Sequence, residues 1–389
     1  MDYKLLSEVS EYRKDRIGSD KVGKANYIST ENMLPNRGGV EIATTVASAK
    51  TFPAYQKGDI LLSNIRPYFK KIWYADKEGG CSNDVLVVKG NQTVDSKFLY
   101  YVLSDNNFFN YSTVTSKGTK MPRGSKNAMM KYWVPDLDIP TQKKIADILS
   151  SYDKLIKANN ERIELLEQAA QELYKEWFVR FRFPGYENVE FENGLPEGWK
   201  IKRMNEFCYV TDGTHDTPKP VDVGVPLVTG RCISSGFVDF DAAYNISEAD
   251  YEGIKKRSGL KSGDILFSNI GTVGNCCIVD YDREFSVKNV IIFKPETMRD
   301  TAYLYYWMTS STMQEIFRVQ TNGASQQFVG LTFMRKYKLL VPKDDILEAF
   351  AGKVLPIVEQ KRLLHQEKLN LAAQRDMLLP RLMSGKLEV

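Results

Sequence analysis

Four basic side chains lie close together in a glycine-containing stretch, residues 116–126, and could bind phosphate or the edges of nucleic-acid bases. They are Lys117, Lys120, Arg123 and Lys126. Lys and Arg neutralise phosphates, and both can donate hydrogen bonds to guanine. Gly118, Pro122 and Gly124 predict a loop whose backbone can approach a groove closely. The alternative is a solvated basic surface loop, and charge alone does not decide between the two.

A second polar stretch, at the corresponding place in a repeat described below, is uncharged. Its candidate side chains are Asn322, Ser325, Gln326 and Gln327. Asn and Gln can pair with adenine through its N6 and N7 atoms. The alternative is an ordinary polar turn.

His215 lies between two carboxylates, Asp212 and Asp216. This pattern could indicate a general base or a metal ligand, but no nucleophile or third ligand accompanies it. Turn chemistry, with side chains hydrogen-bonding to the local backbone, fits better. His215 and Lys219 remain candidates for contact with nucleic acid.

Signatures of catalysis and of bound cofactors are absent. The sequence has no G-x-x-x-x-G-K phosphate loop and neither of the F-x-G-x-G and N/D-P-P-Y/F patterns of adenine methyltransferases. The five cysteines are odd in number, form no C-x-x-C and are expected to be reduced and mostly buried. With two histidines in the chain, no metal site is expected. We expect no catalytic residue and no cofactor bound by this chain.

Charge and hydropathy set wider limits. The net charge is +4, and the excess of Lys and Arg lies in residues 1–138, whereas residues 183–343 carry slightly more Asp and Glu. No apolar run approaches the length of a membrane span, and the N-terminus lacks the layout of a signal peptide. The expected compartment is the cytoplasm, with no membrane partner.

The elements that position these residues occur twice. Residues 57–65 (KGDILLSNI) return as residues 262–270 (SGDILFSNI), an offset of 205 that takes Ile60 to Ile265. The same offset relates the β-branched run 85–89 to 290–294 and the aromatic run 98–101 to 303–306. Each copy predicts a mixed α/β (α+β) lobe with many short strands, in which residues 85–88 form a buried strand.

A long helical pattern follows each lobe. In residues 139–182 the predicted seam alternates spacings of four and three; its members are Ile145, Leu149, Tyr152, Ile156, Asn159, Ile163, Leu166, Ala170, Leu173 and Trp177. Pro140 is expected in the first turn, with Ile139 outside the helix. In residues 344–389 the seam is Ile357, Leu364, Leu371 and Leu378, and Pro380 is expected to break it. Lys361, Lys368 and Arg375 continue a companion row begun by Val354. The two helices are predicted to pack as an antiparallel coiled coil rather than stand as exposed single helices.

Three segments at the helix ends carry a specific resemblance: residues 173–185 (LYKEWFVRFRFPG), 193–199 (NGLPEGW) and 375–385 (RDMLLPRLMSG). Together with the repeated G-D-I-L-x-S-N-I motif, they resemble the specificity subunit of type I restriction-modification enzymes over essentially the whole chain. The aromatic residues 177, 178, 181 and 183 are nevertheless expected to be core, seating the helix end against a lobe.

The resemblance implies a pseudo-twofold repeat of two target recognition domains, residues 1–138 and 183–343, separated by conserved helices 139–182 and 344–389. It implies that each domain reads one half of a bipartite double-stranded DNA target. It also implies that the helices set the spacer and dock two modification (methyltransferase) subunits, joined by restriction and translocase subunits. S-adenosylmethionine, ATP and Mg would then be bound by partners, in the cytoplasm of a bacterial or archaeal cell.

The docking strip is expected on the exposed side of the helix pair, around residues 173–183 and 378–383. Because no long helix precedes the first lobe, the simple lobe order is expected. Two other functions stay open at this point: a coiled-coil scaffold with two protein-binding lobes, and a single-chain DNA-modifying enzyme. Sequence-dependent DNA retention would exclude the scaffold, and binding of S-adenosylmethionine by the purified chain would favour the enzyme.

Overall fold

The computed structural model describes residues 2–234, 236–321 and 328–383. The chain forms two compact units. The first consists of the residues up to Asn160 together with those from Gln366 onward, and the second of Glu161–His365. Each unit therefore contains one lobe and a part of both long helices, whereas the sequence analysis placed each helix in a segment of its own.

The first lobe is a mixed α/β structure of short elements, as predicted. Its strands are Tyr3–Leu5, Ser10–Tyr12, Arg16–Gly18, Tyr27–Ile28, Thr51–Tyr55, Ile60–Ser63, Ile72–Tyr74, Gly79–Cys81, Val85–Gly90 and Trp133–Pro135. Its helices are Leu6–Val9, Ser96–Ser104, Asn106–Val114 and Lys126–Met129, with 3-10 turns at Ser19–Lys21 and Pro67–Phe69.

The second lobe is built in the same way. Its strands are Phe191–Glu192, Leu195–Pro196, Lys200–Arg203, Tyr209–Asp212, Val225–Thr229, Ile233–Ser234, Phe237–Val238, Tyr244–Ile246, Ile265–Ser268, Cys276–Ile278, Ser286–Lys288, Val290–Lys294 and Lys338–Val341. Its helices are Met204–Phe207, Glu248–Ser258, Met298–Thr309, Ser311–Thr321 and Leu331–Lys336, with 3-10 turns at Tyr186–Asn188 and Gly230–Cys232. All five cysteines are free and buried, as expected.

The repeat in sequence is a repeat in structure. Each lobe has a four-stranded antiparallel sheet, here called the repeat sheet, with the same strand order. In the first lobe Ile60 pairs with Val88, and in the second Ile265 pairs with Phe293. These pairs differ by the same offset of 205, so the two sheets share one register. Register is specified strongly here because both central strands are buried along their length.

The G-D pair of the motif is a structural turn. Gly58 and Gly263 have φ of 92° and 90°, a conformation that glycine adopts without steric cost. The buried Asp59 carboxylate accepts hydrogen bonds from the Gln56 N–H at 2.7 Å and from Arg13 Nε at 2.6 Å. This ion pair raises the pKa of Arg13. The motif therefore builds the scaffold rather than a catalytic site.

The second lobe satisfies the equivalent aspartate with a different cation. Asp264 accepts from the Lys261 N–H at 2.9 Å and from Lys294 Nζ at 2.5 Å. Lys294 is the last residue of the Val290–Lys294 strand, whereas Arg13 follows the Ser10–Tyr12 strand at the edge of the first lobe's sheet. A buried carboxylate without a cation would be strongly destabilising, so each lobe supplies one.

A second sheet differs between the lobes. In the first lobe, four strands are arranged in the order Arg16–Gly18, Thr51–Tyr55, Gly79–Cys81, Tyr27–Ile28. In the second lobe, three strands are arranged in the order Tyr244–Ile246, Val225–Thr229, Ser286–Lys288. The lobes thus share the repeat sheet and differ in this second sheet.

The long helices lie within the predicted segments 139–182 and 344–389, but each departs from prediction next to a proline. The first is Ile139–Tyr174, continued by a π-helical turn at Lys175–Val179. Ile139 is helical, contrary to expectation, because Asp138 caps the helix: its carboxylate accepts from the Thr141 N–H at 3.3 Å. Pro140 remains in the first turn, where a missing N–H is harmless.

The second long helix is Asp344–Met383, and it passes through Pro380. The expectation that Pro380 ends the pattern is wrong. A proline inside a helix costs about 3 kcal/mol. Here the last turn buries Leu379, Leu382 and Met383 in the core of the first lobe, and burial of each such side chain contributes about 1.5–3 kcal/mol. This burial keeps the turn helical.

Within the first unit the two helices run antiparallel, as predicted. Asp153 accepts from Arg375 Nη1 at 2.5 Å, and Asn159 Nδ2 donates to Glu367 Oε2 at 3.0 Å. In these two contacts the residue number rises along the first helix as it falls along the second, which defines an antiparallel pair. Of the predicted seam residues in this unit, Ile145, Leu149 and Asn159 are buried and Tyr152, Ile156, Leu371 and Leu378 are half-buried.

The same antiparallel order holds within the second unit. Buried Lys361 donates to Glu167, and the Phe178 and Phe350 rings lie 4.8 Å apart between centroids. Of the seam residues there, Ile163, Trp177 and Leu364 are buried and Leu166, Leu173 and Ile357 are half-buried. The basic companion row is thus accommodated by carboxylates on the facing helix at Lys361 and Arg375.

The helix ends belong to the lobe cores. Trp177, Phe178 and Phe183 are buried in the core of the second lobe, and Phe181 packs beside Trp199 with centroids 5.5 Å apart. The aromatic residues are core, as expected. Most large side chains at 173–183 and 378–383, where the docking strip is predicted, are covered by the chain itself, although Val179 is exposed, and docking there stays a prediction. The exposed apolar side chains of Ile139–Tyr174 and Asp344–Met383 are Ile148, Leu155, Leu165, Leu363, Leu369 and Met377.

Candidate nucleic-acid interface

The S-N-I part of the repeated motif anchors the candidate loop in each lobe. The carbonyl of Asn64 accepts from the Gly124 N–H at 3.0 Å, and that of Asn269 accepts from the Val329 N–H at 2.9 Å. The neighbouring residue pairs with the loop as well, Ile65 with Arg123 and Ile270 with Phe328. All these pairs differ by 205, so the S-N-I motif binds equivalent residues in both lobes, Arg123 and Gly124 in the first and Phe328 and Val329 in the second.

The structure gives the basic loop of the first lobe, residues 116–126, a defined shape. Lys117 and Arg123 exchange two backbone hydrogen bonds of 2.9 Å, which close the loop into a narrow hairpin. Ser125 then caps the short helix that begins at Lys126. The four predicted cations, Lys117, Lys120, Arg123 and Lys126, are all exposed. Exposed cations on one loop can bind successive phosphates and release counterions.

Arg123 is held by a carboxylate. Its Nη2 lies 3.2 Å from Asp84 Oδ1, at a site where both side chains are partly exposed. An exposed ion pair contributes little stability, but it orients the planar guanidinium, whose fork of donors suits a guanine edge. Asp84 was not identified from the sequence.

The segment that follows S-N-I in the first lobe was also missed. Its Arg66 N–H donates to the Pro122 carbonyl at 2.8 Å, which places the segment against the basic loop. Tyr68 and Phe69 next to it are exposed. The signal was present in the sequence, because residues 66–71 read R-P-Y-F-K-K, a basic patch interleaved with aromatic residues.

In the second lobe the structure assigns His215 to a hydrogen-bonded network. Its Nδ1 lies 2.8 Å from Asn289 Oδ1 and its Nε2 lies 2.8 Å from Asp212 Oδ2. Both partner atoms are acceptors, and this geometry favours the protonated ring, in which both nitrogens donate. The hydrogen bonds to Asn289 and then Asp212 accordingly raise the pKa of His215. Arg257 Nη2 also donates to Asp212 Oδ1, at 3.0 Å.

The remaining contacts of this segment are turn chemistry. The Asp216 N–H donates to Thr214 Oγ1 at 3.1 Å, and Lys288 donates to Thr217. Lys219 is exposed. His215 therefore has a positioned and exposed ring, which leaves it and Lys219 available to a ligand. Asn322, Ser325, Gln326 and Gln327 lie outside the described residues.

Residues 2–234, 236–321 and 328–383 contain no group of His, Cys, Asp and Glu that could hold a metal ion. No helix in those ranges has the combination of length and apolar character needed to cross a membrane.

Comparisons with known proteins agree with the twofold repeat of the chain. The chain matches the family described as "Type I restriction modification DNA specificity domain" twice, over residues 2–168 and 196–369. It is 25% identical to the type I restriction enzyme MjaIX specificity subunit of Methanocaldococcus jannaschii, over 94% of this chain and 85% of that protein. It is 22% identical to the type I restriction enzyme HindI specificity subunit of Haemophilus influenzae, over 98% of each.

A solved structure agrees in fold. The crystal structure of the type I restriction-modification system S subunit from M. genitalium superposes with a TM-score of 0.56 at 16% identity, over 98% of this chain and 96% of that one. The two family matches together span most of the chain, one on each lobe and its following helix. The chain therefore belongs to the family of type I restriction-modification DNA specificity subunits, non-catalytic proteins that bind DNA and assemble with the other subunits of the restriction enzyme.

Proposed function

We propose that each lobe of this specificity subunit contacts one half of a bipartite DNA target through the loop anchored on its S-N-I motif. The observation that supports the proposal is the repeat sheet, whose S-N-I motif pairs with equivalent residues of both lobes, Arg123 in the first and Phe328 in the second. Two similar readers on one chain suit a target made of two short blocks with an unread spacer between them.

The chemistry of the loops differs between the lobes, so we infer different half-sites. The first lobe offers Lys117, Lys120, Arg123 and Lys126, which suit phosphates and a guanine edge. The second offers His215 and Lys219, together with the uncharged stretch of residues 322–327, whose amides suit adenine. Non-specific attraction to DNA then comes mainly from the first lobe.

We infer that two modification subunits dock on the exposed apolar side chains of the long helices rather than on the helix ends. Six such side chains occur on Ile139–Tyr174 and Asp344–Met383, and exposed apolar residues are common at the centre of protein interfaces. Restriction and translocase subunits would join this assembly. S-adenosylmethionine, ATP and Mg would be bound by those partners, and the complex would work in the cytoplasm of a bacterial or archaeal cell.

The test is methylome sequencing of the host with and without the gene. We expect one bipartite methylated motif to disappear when the gene is deleted and to return with a plasmid copy. The matched control is a copy in which residues 183–343 are replaced by the second lobe of a relative, which should change only one block of the motif. A single uninterrupted motif, or one that persists without the gene, would contradict the proposal.

A separate experiment addresses the helices. Both long helices are lengthened by two heptads at facing positions, about 21 Å in each. If the helices set the spacing, the unread spacer lengthens and both blocks stay the same. Methylation of the original spacing at an undiminished rate would show that the helices do not determine it.

A further inference from the structure

The segment Arg66–Lys70 of the first lobe, here called the aromatic turn, is a strained and closed piece of backbone. The Phe69 N–H donates to the Arg66 carbonyl at 2.9 Å, and the Lys70 N–H donates to the Pro67 carbonyl at 2.8 Å. Arg66 and Lys70 have φ of 50° and 52°, in the left-handed region that residues with a Cβ rarely adopt. Such strain persists only where the surrounding structure enforces it, and it concentrates at functional sites.

A second strained segment faces the aromatic turn. Asn36 and Arg37 have φ of 53° and 62°. The Asn36 N–H donates to the Phe69 carbonyl at 2.8 Å, and the Arg37 N–H donates to the Lys70 carbonyl at 2.9 Å. Four left-handed residues other than glycine therefore meet at one place. The other residues of this kind in the described parts of the chain are Phe181, Asn193 and Asn289.

The repeat shows that this backbone does not require an arginine. Ile65 and Ile270 occupy equivalent positions, so Arg66 corresponds to Gly271. Gly271 has the same left-handed conformation, with φ of 77°. The second lobe uses the residue that carries no steric cost there, whereas the first lobe keeps a long cationic side chain.

The turn is also fixed to the lobe. Arg37 Nη2 and Lys70 Nζ both donate to Asn106 Oδ1, at 2.7 and 2.8 Å. Arg37 Nη1 lies 3.1 Å from Asp376 Oδ2 on the second long helix. A surface element held on two sides presents its side chains in one orientation, which favours specific contact over an adaptable surface.

The side chains presented are two aromatic rings and a cation. Tyr68 is 45% exposed and Phe69 is 39% exposed, with ring centroids 4.8 Å apart. The Arg66 guanidinium carbon lies 6.0 Å from the centre of the Phe69 ring, and its Nε is buried without a hydrogen-bond partner among the described residues. The hydrogen bond from Arg66 to Pro122 joins the turn to the basic loop.

We propose that the aromatic turn is a second DNA-contacting element of the first lobe, in which Tyr68 and Phe69 touch the base edges of the half-site whose phosphates the basic loop binds. This inference rests on the proposed function. Aromatic rings contact the thymine methyl group or wedge against a base step. The cations of the adjoining basic loop favour a polyanion over an apolar protein surface at this place.

The first test replaces both rings, Tyr68→Ala with Phe69→Ala, in the assembled complex. We expect a loss of roughly ten- to hundred-fold in affinity for the specific duplex. The slope of affinity against salt should not change, because apolar contacts release no counterions. The matched control is Tyr3→Ala with Trp133→Ala, two other exposed aromatic residues of the same lobe, which should leave affinity unchanged.

The second test removes the cation without disturbing the backbone. Arg66→Gly installs the residue that the second lobe uses at this position, so the melting temperature should be unchanged or higher. Affinity for the specific duplex should nevertheless fall. This variant keeps the inference testable if the double replacement of the rings unfolds the lobe.

Three outcomes would overturn the inference. Unchanged affinity for the specific duplex in both the ring variant and Arg66→Gly would show that the turn has only a structural role. Loss of partner subunits from the ring variant, with DNA affinity retained, would make the turn a protein-docking surface. A parent complex that binds no bipartite duplex would refute the proposed function itself, and this result is distinguishable because it appears before any substitution.

Discussion

Asp84 and Asn289 occupy equivalent positions of the two lobes, each one residue before the strand that starts at Val85 or Val290. Asp84 binds Arg123 at 3.2 Å, and Asn289 binds His215 at 2.8 Å. One scaffold position thus holds a side chain from a different segment in each lobe. The Asp84 carboxylate binds a guanidinium, and the Asn289 amide oxygen binds an imidazole. The two lobes therefore hold different hydrogen-bond donors at equivalent positions.

The first prediction concerns Asp84. In Asp84→Asn the guanidinium of Arg123 loses its ionic partner and a negative charge near the loop is removed. We expect stronger non-specific DNA binding, a smaller ratio of specific to non-specific affinity, and stability changed by less than about 1 kcal/mol. Competition binding at two salt concentrations measures this ratio. Asp136→Asn is the control, since Asp136 is a similarly exposed carboxylate paired with Lys4; an equal effect of both substitutions would argue against a role of Asp84.

The second prediction separates the cations of the basic loop. Lys117→Ala with Lys120→Ala should weaken binding to all sequences and lower the salt slope by about 1 for each phosphate that the loop no longer neutralises. Arg123→Ala should instead cost about 1–3 kcal/mol at one base of the first half-site. Salt titrations with the target and with single-base variants give both quantities. Unchanged affinity and site preference across the series would make this a solvated surface loop.

The third prediction concerns pH. The pKa of His215 is raised above 6.5 by its hydrogen bonds to Asn289 and Asp212. A raised pKa means that the protonated ring stabilises the folded segment below the unfolded-state value. This contribution is lost as pH rises through the folded-state pKa. With two histidines in the chain, an NMR titration can follow His215 directly, and its midpoint should lie above 6.5.

The matched variant is Asn289→Gly, which keeps the left-handed backbone at φ of 51° and removes the acceptor. Its midpoint should move down toward 6.5, the ordinary value. Binding of the second half-site should weaken over the same pH range as the ring loses its proton. A midpoint that is identical in the variant and the parent would show that the network does not hold the ring in solution.

The fourth prediction contrasts two lysines of the basic companion row. Burial lowers the pKa of Lys368, which means that the fold disfavours its charge. Because this pKa is depressed, the charged form costs stability at neutral pH, and Lys368→Met should stabilise the protein by on the order of 1 kcal/mol. Lys361→Met should destabilise by about 1–3 kcal/mol, since Glu167 would lose its partner. Denaturant unfolding of both variants measures the change in the free energy of unfolding. Equal changes in the two variants would contradict the prediction.

The fifth prediction concerns the C-terminal turn. Deletion of residues 378–389 removes Leu379, Leu382 and Met383 from the core of the first lobe, where a single Leu→Ala change costs about 2–5 kcal/mol. We expect the first lobe to become protease-sensitive while the second stays resistant. Limited proteolysis with fragment mapping measures this. Deletion of residues 384–389 alone keeps those three side chains and serves as control; resistance of both deletions would show that the turn is dispensable.

The repeat sheet and the helices could be predicted because their signals are local and periodic. The β-branched runs, the G-D turn and the heptad spacings specify strands, turns and a helix face independently of partners. The repeated motif also predicted that both lobes share these elements. Charge and glycine content made the basic loop a candidate, and only the family resemblance favoured DNA contact, which stays a prediction.

Other features depend on tertiary packing. Heptad spacing identified the helix face that meets the other helix, but the helix ends are largely covered by lobe cores that no spacing describes. Asp84 and Asn289 carry no local signal, because their role arises from a shared register between distant strands. The helical state of Ile139 and Pro380 was decided by a cap and by burial, which outweighed the usual behaviour around proline.

The composition of the first compact unit has a consequence for biosynthesis. Its core is completed by Leu379, Leu382 and Met383. The second unit, Glu161–His365, is continuous in sequence and is fully synthesised before them. The N-terminal lobe is therefore translated first but completed only after the second unit, and its core edge stays exposed in the interval. A truncated message would yield a chain with a complete second unit and an unfinished first one.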